Sequence, residues 1–270
     1  RAFMHFELLR LFSESIIQNP EATGIPYREK YSYQVTPFDP IKVSYEKIIR
    51  DFKEAERLLT AHGEYFDRED ENAGGFIKDR VIHMNLYAVQ ALLARVYWEK
   101  GDLETAKNYA MKVIECPFFK MEEKTDVEDM VNGVISNKET IWGLYSEEFP
   151  NFTREVLYQN GGSFTYDPKP DYRDIYEVDQ DGFDYRLDKW FQTLSDHGAE
   201  GLRCMKVVDR FKVRLGARPV SKLSGINMIR LPELYYIVAE YYLVMDNVEM
   251  AATYLDKVVR ARGLNGFNKG

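Results

Sequence analysis

The sequence predicts a mainly α-helical protein in which helical hairpins flank a long, irregular, loop-rich insertion. Two observations support this prediction. Apolar residues recur at three- and four-residue steps in the first 115 residues and in the last 45, which is the spacing of one face of an amphipathic helix. The stretch 116–225 instead has weak periodicity and many turn-forming residues. We therefore expect one domain, 1–270, with hairpins in 1–115, a ligand or partner region in 116–225 and a further hairpin in 226–270.

The first two helices are separated by a proline-rich loop. The chain opens on an amphipathic segment from Arg1 to Phe12. A second helix is predicted after Ser44, a suitable N-cap, because apolar residues from Tyr45 to Leu59 alternate with charged ones at helical spacing. The loop between them covers residues 19–42.

A helical hairpin is predicted next. A helix from Val81 to Lys100 stops at Gly101 and Asp102, which can supply a C-terminal glycine and the N-cap of a following helix from Leu103 to Glu115. Two helices joined by so short a turn are expected to pack as an antiparallel pair.

The same hairpin pattern returns 145 positions later. Small and aromatic residues keep their register, so that Ala94, Tyr97, Ala106 and Tyr109 align with Ala239, Tyr242, Ala251 and Tyr254. Small residues let two helices approach while the tyrosines fill the space beside them, which is typical of a tetratricopeptide-type repeat. The alternative is chance similarity between two amphipathic hairpins.

Composition excludes several classes of partner and chemistry. The chain has 36 basic and 44 acidic side chains, and an acidic protein without a basic run is a poor ligand for phosphate backbones, so we expect no nucleic-acid partner. No apolar run approaches the ~20 residues of a membrane-spanning helix. The two cysteines, Cys116 and Cys204, lack metal or redox spacing; packed thiols are favoured over a bond between them.

The sequence lacks the common catalytic motifs. None of the four histidines has a partner at HExxH spacing, and no GxSxG elbow, P-loop or GxGxxG occurs. We therefore expect no enzyme activity, no cofactor and no metal. The acidic run from Asp179 to Asp184 leaves a calcium loop open, but its glycine comes too early for an EF-hand, which favours a solvated turn.

The insertion is rich in aromatic side chains. Tyrosine and tryptophan offer flat apolar faces for the C–H faces of sugar rings and polar edges for hydroxyls. Most of these rings are expected to be core, with a few exposed to ligand. The candidate ligand-binding residues are Tyr158, Tyr166, Tyr172, Trp190 and Phe191.

Seven segments across nearly the whole chain form a further pattern: Arg1–Phe12, Ser44–Ala55, Ala91–Ala110, Asn137–Trp142, Asp184–Leu187, Ile229–Glu240 and Val259–Gly263. In sequence, order and spacing they resemble the motifs of the SusD/RagB family of Bacteroidetes outer-membrane nutrient-binding lipoproteins. The family's lipobox cysteine and its C-terminal ERrxELxxEGxRxxDL stretch have no counterpart here. The resemblance therefore predicts a middle fragment of such a protein.

The resemblance implies a tetratricopeptide-like α–α superhelix at the outer surface of the outer membrane, held by a lipid anchor outside this chain. It further implies a non-catalytic protein that binds an oligosaccharide or other nutrient through its loops and partners a SusC-like TonB-dependent transporter barrel. Asp184 and Arg186 match a family pattern that implies a structural ion pair fixing a loop. Two alternatives stay open: a tetratricopeptide-like adaptor that binds a protein segment, and a glycosidase with two carboxylates in a cleft.

Overall fold

The computed structural model describes residues 1–62, 79–123, 138–149, 184–196, 199–204 and 223–267, together with residues 135, 152 and 176. The chain divides into two compact units. The first comprises 1–67, 84–116 and 233–251, and the second comprises 68–83, 117–232 and 252–270. The mainly α-helical prediction is confirmed for the described residues.

Seven helices and four strands occur in the described residues. The helices are α1 (Ala2–Phe12), α2 (Ile41–His62), α3 (Leu86–Glu99), α4 (Leu103–Ile114), α5 (Tyr185–Trp190), α6 (Leu231–Val244) and α7 (Val248–Ala261). The strands are β1 (Thr140–Tyr145), β2 (Phe191–Asp196), β3 (Ala199–Cys204) and β4 (Gly225–Arg230).

In the first unit, α1 packs on α2, α2 on α3 and α3 on α4. Helix α2 begins three residues before Ser44, so the prediction that Ser44 caps this helix is wrong. The Ser44 amide already donates to the carbonyl of Pro40 at 3.0 Å, which places Ser44 in the first turn. Pro40 precedes the helix and its carbonyl accepts this first bond.

Helix α3 is shorter than the sequence predicted. It begins at Leu86 rather than Val81, because the Asn85 side chain caps it by accepting from the amide of Ala88 at 2.8 Å. Arg80–Ile82 form a separate 3₁₀ turn, and His83 is extended with φ −109° and ψ 142°. An extended residue cannot belong to a helix, so the 3₁₀ turn and α3 do not form one continuous helix.

The turn between α3 and α4 is repeated between α6 and α7. Gly101 (φ +83°) and Asp246 (φ +56°) both take the left-handed conformation that ends a helix. The next residue then caps the following helix in each case: Asp102 accepts from Thr105 at 3.2 Å, and Asn247 accepts from Met250 at 3.1 Å. The hairpin repeat predicted from the sequence is confirmed at these turns.

Packing at the α3–α4 contact follows the predicted logic of small and aromatic residues. Ala94 and Ala106 are fully buried, while the rings of Tyr97 and Tyr109 stack with centroids 5.8 Å apart. Lys112 lies 4.4 Å from the centroid of the Tyr109 ring one turn before it. Lys257 and Tyr254 repeat this cation–π contact at 5.2 Å in α7.

The second unit contains strands that the sequence did not predict. β1 pairs with β4 antiparallel, with register shifts between Thr140 and Gly143, and β2 pairs with β3 as a hairpin. Ile141 and Ile229 are buried between the elements of this unit. Helix α5 leads directly into β2 and so fixes where that hairpin starts.

Gly225 begins β4 where no side chain fits. A Cβ there would lie 2.0 Å from the carbonyl oxygen of Leu144, at φ +152°. Gly225→Ala is therefore expected to lower the free energy of unfolding by about 2–3 kcal/mol, measured by urea denaturation. The control is Gly101→Ala, where φ is +83° but the nearest atom lies at 3.5 Å; it should cost about 1 kcal/mol. Equal costs would contradict the steric reason.

Two further observations bear on the sequence predictions. No helix among the described residues is long and apolar enough to cross a membrane. Cys116 is buried with a free thiol, which favours a packed side chain over a bond to Cys204.

Candidate functional site

The candidate site lies around α5 in the second unit. Asp184 is the N-cap of this helix and accepts from the amide of Arg186 at 3.0 Å. The Arg186 guanidinium turns back on the same carboxylate, with Nε 2.9 Å from Oδ1 and 3.0 Å from Oδ2. Burial by itself lowers the pKa of Arg186, but hydrogen bonding to Asp184 outweighs this and the pKa is raised. The guanidinium is therefore a fixed charge.

Two half-buried rings contact this guanidinium, and a third ring contacts one of them. Its carbon lies 5.7 Å from the centroid of Tyr176 and 5.8 Å from that of Trp190. Tyr176 and Phe191 meet edge to face at 5.6 Å. We call Tyr176, Arg186, Trp190 and Phe191 the ring cluster. It combines apolar faces with a cationic donor whose position is set by Asp184.

Tyr185 anchors α5 to the interior of the second unit. Its side chain is 1% exposed, and its hydroxyl proton is shared between the backbone carbonyls of Glu122, at 3.2 Å, and Ala261. The hydroxyl also accepts from Nη1 of Arg262 at 3.4 Å. Burial, the largest effect, raises the pKa of Tyr185, so the phenol stays protonated and keeps donating.

A buried charge network lies beneath Tyr185. Glu139, fully buried, accepts two hydrogen bonds from Arg262 at 2.8 and 2.9 Å. Arg230 also donates to Glu139 and lies 4.0 Å from Glu122, whose own amide donates to Glu139 at 2.9 Å. Two arginines and two glutamates balance in charge. We call Glu122, Glu139, Arg230 and Arg262 the buried network. It lies beneath Tyr185 and supports α5.

The structure places only part of the predicted site. Trp190 and Phe191 lie together in the ring cluster, and Asp184 and Arg186 form an ion pair. Tyr158, Tyr166 and Tyr172 lie outside the described residues. Sequence reasoning did not select Tyr176 or the contact of Arg186 with the rings. Aromatic residues on both sides of Arg186 were the available signal, but 176 and 190 are too far apart in sequence for spacing to reveal a contact.

Metal binding gains no support from the described residues. Among them, no group of three or more His, Cys, Asp or Glu side chains could hold a metal ion. The Asp184 carboxylate already accepts hydrogen bonds from Arg186. Residues 179–183, the rest of the candidate calcium loop, lie outside the described residues.

A separate groove of about 270 Å³ lies in the first unit. Phe3, Phe52 and Met84 are among its apolar lining, with Arg1 and Asp51 at its polar side. The Asp51 carboxylate accepts from Nε of Arg1 and the hydroxyl of Tyr27, both at 2.5 Å. The Arg1 and Asp51 side chains of the groove are thus engaged with each other.

The Asp51 contacts predict an acid-dependent loss of stability. Burial raises the pKa of Asp51, but hydrogen bonds from Arg1, Tyr27 and Arg50 outweigh it, and the pKa lies below its ordinary value. A depressed folded pKa stabilises the fold above the unfolded pKa of about 3.9 and loses this as pH falls. Asp51→Asn is expected to cost about 1–2 kcal/mol at pH 7, and the difference should shrink below pH ~4.

Urea denaturation across pH tests this expectation. Glu54→Gln on the same helix is the control, because Glu54 pairs with Arg57 and both side chains are more than half exposed, and its profile should follow that of the unsubstituted chain. A constant difference between Asp51→Asn and the unsubstituted chain down to pH 2 would show that the carboxylate's charge is not the cause.

Comparison with known proteins places this geometry in a known fold. A family model of the tetratricopeptide repeat matches residues 87–115, which covers α3 and α4. A comparison of the sequence with curated proteins finds no match. Solved structures, however, align over the whole length of the chain. One is a SusD-like carbohydrate binding protein from Bacteroides vulgatus, with a TM-score of 0.73, 22% identity, and coverage of 100% of this chain and 54% of that one.

This chain has the SusD-like fold. A SusD superfamily protein from Bacteroides thetaiotaomicron aligns with a TM-score of 0.69 at 21% identity, covering 97% of this chain and 57% of that one. Surface glycan-binding protein A from Bacteroides uniformis aligns with a TM-score of 0.61 at 16% identity, covering 98% and 59%. The chain thus spans little more than half the length of these SusD-like proteins, and the fold expected from the sequence resemblance is confirmed.

Proposed function

We propose that this chain is part of a non-catalytic carbohydrate-binding protein of the SusD/RagB family and that the ring cluster contacts the sugar. The observation that carries the proposal is a guanidinium fixed by Asp184 that lies beside the half-buried rings of Tyr176 and Trp190, with the Phe191 ring against Tyr176, on a fold shared with a carbohydrate binding protein. Ring faces suit the C–H faces of a pyranose, and the guanidinium can donate to hydroxyls.

The ring cluster is suited to binding rather than to turnover. Among the described residues its charged group is Arg186, and the carboxylate that fixes this group, that of Asp184, is 1% exposed and already accepts from Arg186. Glycoside hydrolysis needs two carboxyl groups on opposite sides of the sugar. We therefore propose binding without cleavage. Incubation with polysaccharide should release no reducing ends, and their appearance would contradict this part of the proposal.

The cellular setting is also a proposal, and it rests on the family resemblance. We propose that the protein lies at the outer surface of the outer membrane through a lipid anchor outside this chain. We further propose that it works with a SusC-like TonB-dependent transporter to import the bound nutrient. Co-purification of the full-length protein with a transporter barrel from outer membranes tests this; recovery without any barrel partner would count against it.

Trp190→Ala is expected to weaken glycan binding by about tenfold or more, the effect of losing one contact of hot-spot rank. A glycan array first identifies the ligand, and isothermal titration calorimetry then gives the affinities. Phe267→Ala is the matched control, because Phe267 is an exposed ring of the same unit outside the ring cluster. Tyr172→Ala tests one of the four other rings predicted from sequence. Unchanged binding in a folded Trp190→Ala variant would remove Trp190 from the site.

A peptide-binding adaptor is the second candidate function. The tetratricopeptide match over residues 87–115 favours it, because such repeats bind extended peptides on their concave face. Selection from a random peptide library separates the two functions. A peptide that binds the chain, with no glycan binding on the array, would support the adaptor over the carbohydrate-binding protein.

A further inference from the structure

The loop between α1 and α2 presents an apolar tip to solvent. Tyr31, Tyr33 and Val35 occupy alternating positions and are 90%, 95% and 93% exposed. The two tyrosine rings are 6.0 Å apart with an interplanar angle of 66°. Exposed apolar side chains scattered singly need no explanation, but adjacent rings at one loop tip mark a contact surface.

Arg28 holds the loop across its tip. Its guanidinium donates to the carbonyl of Gln34 at 2.5 Å and to the hydroxyl of Thr36 at 3.3 Å. Its backbone amide donates to Nε2 of His5 at 3.0 Å, which ties the loop to α1. The Arg28 side chain therefore joins the backbone before Tyr31 to the residues after Tyr33.

The base of the loop is closed as well. The amide of Gly24 donates to the carbonyl of Asp39 at 2.8 Å, and the amide of Asp39 donates to Ile25 at 3.3 Å. A rigid loop loses little conformational entropy when a ligand binds, and tyrosines offer large contact area with few rotatable bonds. The loop is thus preorganised for contact.

Two of the three charged side chains at 28–30 have partners within the protein, which leaves the charge of Lys30 at the tip. Arg28 donates to loop oxygens, and Glu29 pairs with Arg50 at 2.7 Å while its carbonyl accepts from Arg1 at 2.9 Å. The adjacent Lys30 side chain supplies hydrogen-bond donors, and the tyrosines supply hydroxyls at their edges. Apolar faces beside hydroxyl-binding groups match a pyranose ring, which has apolar C–H faces and hydroxyl edges.

We propose that Tyr31 and Tyr33 form a second contact site for neutral glycans, separate from the ring cluster. The two rings meet edge to face and both side chains are at least 90% exposed, so the pair presents aromatic surface in two directions to a sugar. This inference rests on the proposed carbohydrate-binding function, but its residues belong to the first unit and the ring cluster belongs to the second.

Isothermal titration calorimetry with maltohexaose, cellohexaose, xylohexaose and mannohexaose tests the second site. Four proteins are compared: the unsubstituted chain, Trp190→Ala, Tyr31→Ala/Tyr33→Ala, and the variant with all three substitutions. Two binding events per chain are expected for the unsubstituted chain and one for each of the two partial variants. Binding by the variant with all three substitutions should be at least about tenfold weaker than by Trp190→Ala, as for the loss of hot-spot contacts.

Tyr236→Ala is the control, because Tyr236 is a half-exposed tyrosine of α6 in the same unit, and binding should not change. If Tyr31→Ala/Tyr33→Ala binds as the unsubstituted chain does while Trp190→Ala loses binding, the loop site is wrong and the ring cluster stands. If the loop variant alone loses binding, the loop site stands and the ring cluster is wrong. Absence of binding by the unsubstituted chain to all four hexasaccharides would overturn both.

Discussion

Replacing Arg262 by methionine is expected to lower the free energy of unfolding by about 3–5 kcal/mol, the cost of removing one partner from a buried ion pair. The Arg262 side chain is 4% exposed and its partner Glu139 is fully buried. Burial lowers the pKa of Arg262, but its hydrogen bonds to Glu139 outweigh this and the pKa is raised. Methionine keeps much of the volume, so the loss reports the hydrogen bonds that Arg262 made to Glu139, which then keeps Arg230 as its cationic partner.

Arg260→Met is the matched control for Arg262→Met. Arg260 lies two residues earlier, has a side chain that is 56% exposed and lies 3.6 Å from Asp256, so little change is expected from an exposed pair. A double variant, Arg262→Met with Glu139→Met, should recover part of the lost stability, because both charges are then gone. Equal losses for Arg260→Met and Arg262→Met in urea denaturation would contradict the account of the buried network.

Replacing Arg95 by methionine is expected to cost about 2–4 kcal/mol, less than a fully buried pair because Glu233 is one-third exposed. Arg95 in α3 donates to both carboxylate oxygens of Glu233 in α6, at 2.5 and 2.7 Å. It also lies 3.7 Å from Glu7 in α1. One guanidinium thus joins three helices of the first unit, and its loss leaves two carboxylates near one another.

The control for Arg95→Met is Arg57→Met on α2. Arg57 makes a comparable bidentate contact with Glu54 at 2.7 and 2.8 Å, but both side chains are more than half exposed. Its substitution should leave the denaturation midpoint unchanged. If Arg57→Met and Arg95→Met shifted the midpoint equally, helical propensity rather than the three-helix contact would explain the loss.

The helical hairpins could be predicted from sequence because their signals are local. Gly101, Asp102 and their counterparts Asp246 and Asn247 determine turns through residues one to three positions apart. Apolar spacing likewise reports the buried face within a single helix. Errors occurred at helix starts, where Ser44 and Asn85 both have capping side chains but only Asn85 caps a helix.

The strands and the buried network could not be predicted because their contacts are not local. Thr140 pairs with Arg230 across the insertion, with a register shift beside it. Glu139 and Arg262 come from two separate segments that resemble family motifs, yet no spacing rule shows that they meet. The contacts of the ring cluster are also not all local. Trp190 and Phe191 were predicted from composition, whereas the contacts of Tyr176 with Arg186 and Phe191 are visible only in the folded structure.

The chain's three tryptophans allow one direct test of the proposed function. We expect the indole N–H resonance of Trp190 in ¹H–¹⁵N NMR spectra to move when the glycan identified on the array is added. Trp142, 6% exposed, and Trp98, whose indole donates to Glu240 at 2.6 Å, should stay in place. A Trp190 resonance that is unmoved at saturating glycan, while binding is detected elsewhere, would contradict the assignment of the ring cluster as the sugar site.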